Sequence, residues 1–435
     1  NQYGPSTIPQ MYRNNTTRNE ETLAPYDYPL AHEFNDIGWV VMTDDLISTD
    51  RIQMTFKSSH WGSFNHSQAD QNSFTIQAYG KKLASRGGYY DAYHTKHDSG
   101  ITRKTAAHNS VTLATNRGQR DDSINAKGEL TAYLNHMDFD LVTGDATPAY
   151  LTNIDYFERH MIYIRPDIFV VIDDLDSYKG KKEKYEWWLN TDTDIEVYEG
   201  GVNGARTQNG NAVLDTQVHY PQKVTTYYNN IHALSDMIEI PAASPYDKAN
   251  VQRRVWFETE ALDATKMVVT MDVHKADVGA RPIDTQYGEG YLKLTFEDGT
   301  VLIANLNTDE REELTVGNIT FRGAAVVYND ESIMLVSGTS LKEGGVELIA
   351  SEKLCSVVMG KDEISLSTYE DNVISLHNDN DYVKGIAQVK NENDFEMGPE
   401  WGLTITEGKK VVATYEEPKA EEKKEDTKKS TSKKT

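Results

Sequence analysis

Ile52-Gln53-Met54-Thr55-Phe56-Lys57 and Ser73-Phe74-Thr75-Ile76-Gln77-Ala78 alternate apolar and polar side chains residue by residue. Successive side chains of an extended chain point to opposite faces, so each stretch reads as a strand with one buried and one wetted face. Val111 and Leu113 repeat the pattern, whereas Ile168-Phe169-Val170-Val171-Ile172 and Met267-Val268-Val269-Thr270-Met271 are apolar throughout and suit strands covered on both sides. Turn residues punctuate these segments: Gly200-Gly201, Asp298-Gly299 and Gly344-Gly345. Apolar spacing at 3.6 residues is almost absent, so the chain is expected to be all-β, a large multi-sheet sandwich whose sheets bury their inner faces on one another.

Composition narrows the class. The 435 residues include 68 acidic and 44 basic side chains, a net charge of −24, which argues against nucleic acid as a partner. No run approaches the roughly 18 apolar residues of a membrane helix, and a single cysteine, Cys355, excludes an internal disulfide framework. The chain opens at Asn1 without an initiator Met or a signal-type pattern, as expected of a piece of a longer protein. Residues 1–30 read as a connector, 31–314 as the large β region and 315–415 as a smaller β module. Residues 416–435, rich in Lys and Glu and without large apolar side chains, read as a disordered tail.

Charge is unevenly spread. Residues 51–120 hold ten basic and three acidic side chains, a local balance of +7, together with His60, His66, His94, His97 and His108. Such an island in an acidic chain suits a groove for an anionic ligand; the bland alternative is an ordinary wetted strand face.

Within the island stand Asn65-His66-Ser67-Gln68-Ala69-Asp70-Gln71-Asn72-Ser73-Phe74, Leu83-Ala84-Ser85-Arg86-Gly87-Gly88-Tyr89-Tyr90 and Ala107-His108-Asn109. Elsewhere lie Asp36-Ile37-Gly38-Trp39-Val40, Gly144-Asp145-Ala146-Thr147, Glu158-Arg159-His160 and Arg165-Pro166-Asp167-Ile168. In this order the segments, over about residues 30–190, resemble the heparinase II/III-like polysaccharide lyases. The resemblance implies a β-supersandwich that normally follows an N-terminal helical toroid, with uronate-containing polysaccharide cleaved between the two. The chain would lack the toroid, from which the family generally draws its catalytic Tyr, so little turnover is expected of it alone. Were it active, Tyr89, Tyr90 and Tyr93 would be the first substitutes. A bacterial protein that is secreted, periplasmic or at the cell surface is implied.

The chemistry constrains the residues independently. Eliminating a sugar linked at C4 of a uronate removes the proton beside its carboxylate, and the carbanion needs hydrogen-bond donors, a cation or a metal to stabilise it. A base of suitable pKa and an acid for the leaving oxygen complete the set. His66 is the candidate base with Asn65 beside it; Arg86, His108, Arg103, Gln68 and Tyr90 are candidate substrate contacts. For His66, a buried histidine that merely holds a loop is the competing reading.

By resemblance, His108 matches a zinc-binding histidine, but its partner positions hold Gln68 and Arg86. An amide is a poor zinc ligand and a guanidinium repels the ion, so no cofactor is expected. The weak metal candidates are Gln68, Asp70, Asp91 and His108. Asp121-Asp122 and Asp173-Asp174 follow no established calcium-loop spacing and read as solvated strand ends. Of the pairs Tyr89-Tyr90, Trp187-Trp188 and Tyr227-Tyr228, at least one member each should be core. A carbohydrate-binding or scaffold module without turnover is the alternative to a lyase. The polymer, the oligomeric state and the mode of cleavage are not legible.

Overall fold

The computed structural model describes residues 28–88, 92–95, 98–115, 117–229, 253–307, 309, 312–360 and 363–368. Beyond these it describes 372–377, 382, 388–391, 402–405 and 410–414. The expected tail lies outside the described residues, as does most of the expected connector.

Antiparallel strands build four sheets. The first is a five-stranded meander of β1 (Ala31–Phe34), β2 (Trp39–Thr43), β3 (Ile52–Lys57), β4 (Ser73–Ala78) and β5 (Lys81–Ala84). The alternation read in β3 and β4 is realised: Met54, Phe56, Phe74 and Ile76 are buried while Gln53, Thr55, Thr75 and Gln77 face outward. Gly38 makes the entry to β2. Its φ is +64°, and a Cβ there would lie 2.2 Å from the Ser58 carbonyl oxygen, so only glycine fits.

A four-stranded sheet (Val224–Asn229, Arg253–Thr259, Tyr185–Thr191 and Val111–Leu113) joins the first in covering one face of an eight-stranded sheet. Ile168–Ser177 and Ala264–Lys275 pair at the centre of the eight. Phe169 and Val171 join the core shared with the smaller sheets, and Val170 and Ile172 the core on the opposite face, which explains the apolar run.

That opposite core is completed by Leu292, Leu294, Leu302, Val327, Met334 and Val358 of a twelve-stranded sheet, which builds a third core from its other side. This sheet begins at Asp284–Gly288 and crosses the division expected at residue 315. Val301–Asn305 pairs directly with Ile319–Tyr328, so strands assigned to the large region are hydrogen bonded into the C-terminal one. Beyond 315 the strands are long, ten, twelve and fifteen residues in Ile319–Tyr328, Ser332–Glu343 and Val346–Gly360, and they run through the interior of this sheet. Cys355 is buried in this sheet. No helix among the described residues is long and apolar enough to cross a membrane.

Candidate functional site

The β3–β4 connection carries Asn65, His66, Gln68 and Asp70. Its path is set by buried polar side chains. Gln71 accepts from the Ser59 amide at 2.6 Å, and Gln119 both donates to the Gln71 carbonyl and accepts from its amide, each at 2.8 Å. Arg103 clamps the tip: its guanidinium donates to the carbonyls of Asn65 and Ser63, the latter at 3.1 Å. Arg103 was a candidate substrate contact; it is instead 4% exposed, with its donors turned to the loop carbonyls.

On this clamp the loop presents an exposed group. Asn65 has a left-handed backbone, φ +61°. The His66 imidazole stacks on Tyr93, ring centroids 4.3 Å apart at 29°, and the Tyr93 hydroxyl donates to Asn65 Oδ1 at 3.2 Å. The buried Arg103 guanidinium lies 5.8 Å from the Tyr93 ring centroid. A base, a hydroxyl acid and an amide thus meet at one surface point. His66 is exposed, not the buried loop-holder of the competing reading.

Gln68, two residues along the same connection from His66, gathers with Arg86 and His108 in a cleft of about 310 Å³ that Trp39, Lys57 and Asp70 also line. Arg86 donates from Nη1 to Gln68 Oε1 at 3.3 Å. His108 is buried, its Nε2 3.1 Å from the Thr102 carbonyl oxygen. Since that oxygen only accepts, Nε2 carries the proton. Burial pushes the His108 pKa down to about 4, keeping the ring neutral at physiological pH. Lys57 and Asp70 form an ion pair at the cleft wall.

These residues do not fit a zinc ion. One would-be ligand position carries the Arg86 guanidinium, which bonds the amide that a metal would need, and Asp70 is paired with Lys57. Among the described residues no three His, Cys, Asp or Glu side chains are grouped to hold a metal. Tyr89, Tyr90, Asp91 and His97 lie outside the described residues.

Other expectations resolve in the sheets. Asp173 is not a solvated strand end: it is fully buried mid-strand, and Arg159 grips it through Nε and Nη2, the latter at 2.7 Å. Arg159 Nη1 also donates to the carbonyls of Asn72 and Asn109 at 2.8 and 2.7 Å, tying the central sheet to both segments that frame the cleft. Asp121 pairs with Lys104, and Asp122 lies 3.7 Å from Arg103. Trp187 enters the core, while Trp188 on the opposite face stacks on Trp256, which in turn stacks on Tyr227; neither Tyr227 nor Tyr228 is core, contrary to expectation, since both are exposed on an edge strand. Trp39 and Lys57 were not singled out from the sequence. The alternation of β2 and β3, which turns both outward, was the signal available.

The fold is therefore a layered antiparallel β-supersandwich with a basic, loop-crowned cleft on its first sheet. The Heparinase II/III-like, C-terminal family matches residues 28–264, more than half of the chain, and the chain belongs to that family. Among solved structures it is similar to the heparan sulfate lyase HepC from Pedobacter heparinus, at 18% identity and a TM-score of 0.50, covering 64% of this chain and 42% of that one. A heparinase III matches at 15% identity and a TM-score of 0.50, covering 80% of this chain and 44% of the other. The chain thus spans less than half the length of these structures, and at such identities the likeness is one of fold. No curated protein matches the chain significantly.

Proposed function

We propose that the protein to which this chain belongs is a polysaccharide lyase that cleaves an acidic, uronate-containing polymer by β-elimination. The observation that carries the reading is the meeting of His66, Tyr93 and Asn65 on the connection whose Gln68 accepts from Arg86. In the proposed step His66 takes the proton from C5 of the uronate. The C5–H electron pair forms the C4=C5 double bond, the C4–O4 bond breaks, and the Tyr93 hydroxyl protonates the departing oxygen. Asn65 donates its amide N–H to the substrate carboxylate as charge builds there, and Arg86 supplies the fixed cation that a metal would otherwise provide. Tyr93 takes the role that the resemblance gives to a residue outside this chain. A polymer of this kind is met outside the cytoplasm, which supports a secreted, periplasmic or cell-surface protein.

The test is the ultraviolet absorbance of the conjugated unsaturated uronate released from alginate or a glycosaminoglycan. His66→Ala should abolish it in a protein that still folds. Undiminished product from folded His66→Ala would refute the base assignment; saturable polymer binding with no unsaturated product from the wild type would leave a carbohydrate-binding module.

A further inference from the structure

The outward face of the first sheet is a polar grid. Trp39 of β2 stands opposite Lys57 of β3, which stands opposite Ser73 of β4. Val41, Thr55 and Thr75 form the next row, and Gln53, Gln77 and Lys82 the last. Two clefts lie on this face. The first is the one that holds Arg86 and His108; the second, also about 310 Å³, is lined by Gln53, Gln77 and Lys82 among others. Thr55, Thr75 and Arg86 line both, so the two join into one groove with Arg86 at the junction.

We propose that this groove is an extended binding site for several consecutive sugar rings of an acidic oligosaccharide, laid along the strands from Trp39 to Lys82. The inference rests on the lyase reading for its ligand class and extends that site from Arg86 along the outward face of the first sheet. Each part of the face suits such a ligand. Trp39, 41% exposed, offers an indole face for the apolar side of a sugar ring. The Thr and Gln side chains donate to and accept from hydroxyls. Lys57, Arg86 and Lys82 follow one another along the groove, as a chain bearing repeated carboxylates requires. Rows two residues apart are spaced by about 6.6 Å, so the three rows are long enough for more than one ring. Val41 is the one aliphatic side chain in the grid, which makes the face ill-suited to an apolar protein partner. Lys57 and Lys82 already hold Asp70 and Asp192. Thr75, exposed and central, is therefore where an added charge acts with least rearrangement.

The experiment measures binding of an oligomannuronate, with a neutral cello-oligosaccharide of equal length as control, to the full chain carrying His66→Ala so that nothing is consumed. Thr75→Glu should weaken oligomannuronate binding by about tenfold or more, because like charges brought together across an interface are strongly unfavourable. Thr75→Lys should tighten it, and Trp39→Ala should weaken it without changing its salt dependence. Thr225→Glu, on the edge of the four-stranded sheet, should leave it unchanged. Equal affinity in Thr75→Glu and Thr75→Lys, equal binding of the neutral oligosaccharide, or no saturable binding would each overturn the inference. If the groove variants behave as stated while the whole protein to which the chain belongs yields no unsaturated product, the lyase reading fails and the groove stands. If elimination proceeds and the Thr75 variants bind like the parent, the groove fails and the lyase reading stands.

Discussion

The imidazole of His66 and the phenol ring of Tyr93 lie face to face, centroids 4.3 Å apart, although one comes from the β3–β4 connection and the other from the segment that leaves the first sheet after β5. The stack fixes the ring plane of His66 at an exposed position, and the Tyr93 hydroxyl reaches the neighbouring Asn65. Tyr93→Phe keeps the stack and removes only the hydroxyl. It should lower the rate of elimination by about 10²–10⁴-fold, the range for losing a positioned acid, with little change in substrate affinity. Tyr93→Ala, which frees His66 as well, should be worse. Single-turnover kinetics on both variants checks this, and a fully active Tyr93→Phe would remove Tyr93 from the mechanism.

Arg86 stands where the resemblance implies a metal. The protein should therefore bind no stoichiometric zinc by elemental analysis and should keep its activity in a chelator. The double variant Gln68→His, Arg86→Asp restores a ligand set with His108 and should acquire zinc, read by a chromophoric chelator. Stoichiometric zinc in the wild type would sink the assignment. Arg86→Lys keeps the charge but loses the planar fork, so it should bind an acidic oligosaccharide less well than the wild type and better than Arg86→Ala. Measured across salt concentrations, binding should weaken as exposed charges are screened.

Arg159 and Asp173 form a fully buried pair that also holds the Asn72 and Asn109 carbonyls. Asp173→Asn leaves the guanidinium without its counter-charge and should cost about 3–5 kcal/mol of stability, seen as a lower denaturant midpoint. An unchanged midpoint would show that the pair is dispensable to the layer contact.

His219 joins two sheets: its ring is 2.9 Å from Thr270 Oγ1 of the eight-stranded sheet and 3.2 Å from Thr285 Oγ1 of the twelve-stranded one. Burial pushes its pKa down to about 4 from an ordinary 6.5. A group depressed in this way contributes stability above its unfolded pKa and loses it as pH falls through the folded one. The wild type should thus lose stability relative to His219→Gln as pH drops from 6.5 toward 4. Parallel unfolding curves at the two ends of that window test it; a constant difference would mean that His219 does not titrate with folding.

Much of the architecture is local information. The alternation in Ile52–Lys57 and Ser73–Ala78, the apolar run at 168–172 and the left-handed glycines Gly200, Gly201, Gly299, Gly344 and Gly345 are dictated by side-chain periodicity and backbone sterics, so strands and turns are legible along the chain. Asn65, His66, Gln68, Arg86 and His108 stand in one basic segment, and it is the family resemblance of that segment that picks them out. What period two cannot say is which sheet covers a given face. The bond between Val301–Asn305 and Ile319–Tyr328, which carries the C-terminal sheet across residue 315, therefore appears only once the chain is folded. A charged residue also reads alike in sequence whether wet or buried. Arg103 and Asp173 looked like surface groups, and long-range partners at the loop tip and on the adjacent strand turned them into internal supports. The contact between Tyr93 and His66 is of the same kind: it depends on where two loops are clamped, and no spacing along the chain encodes that position.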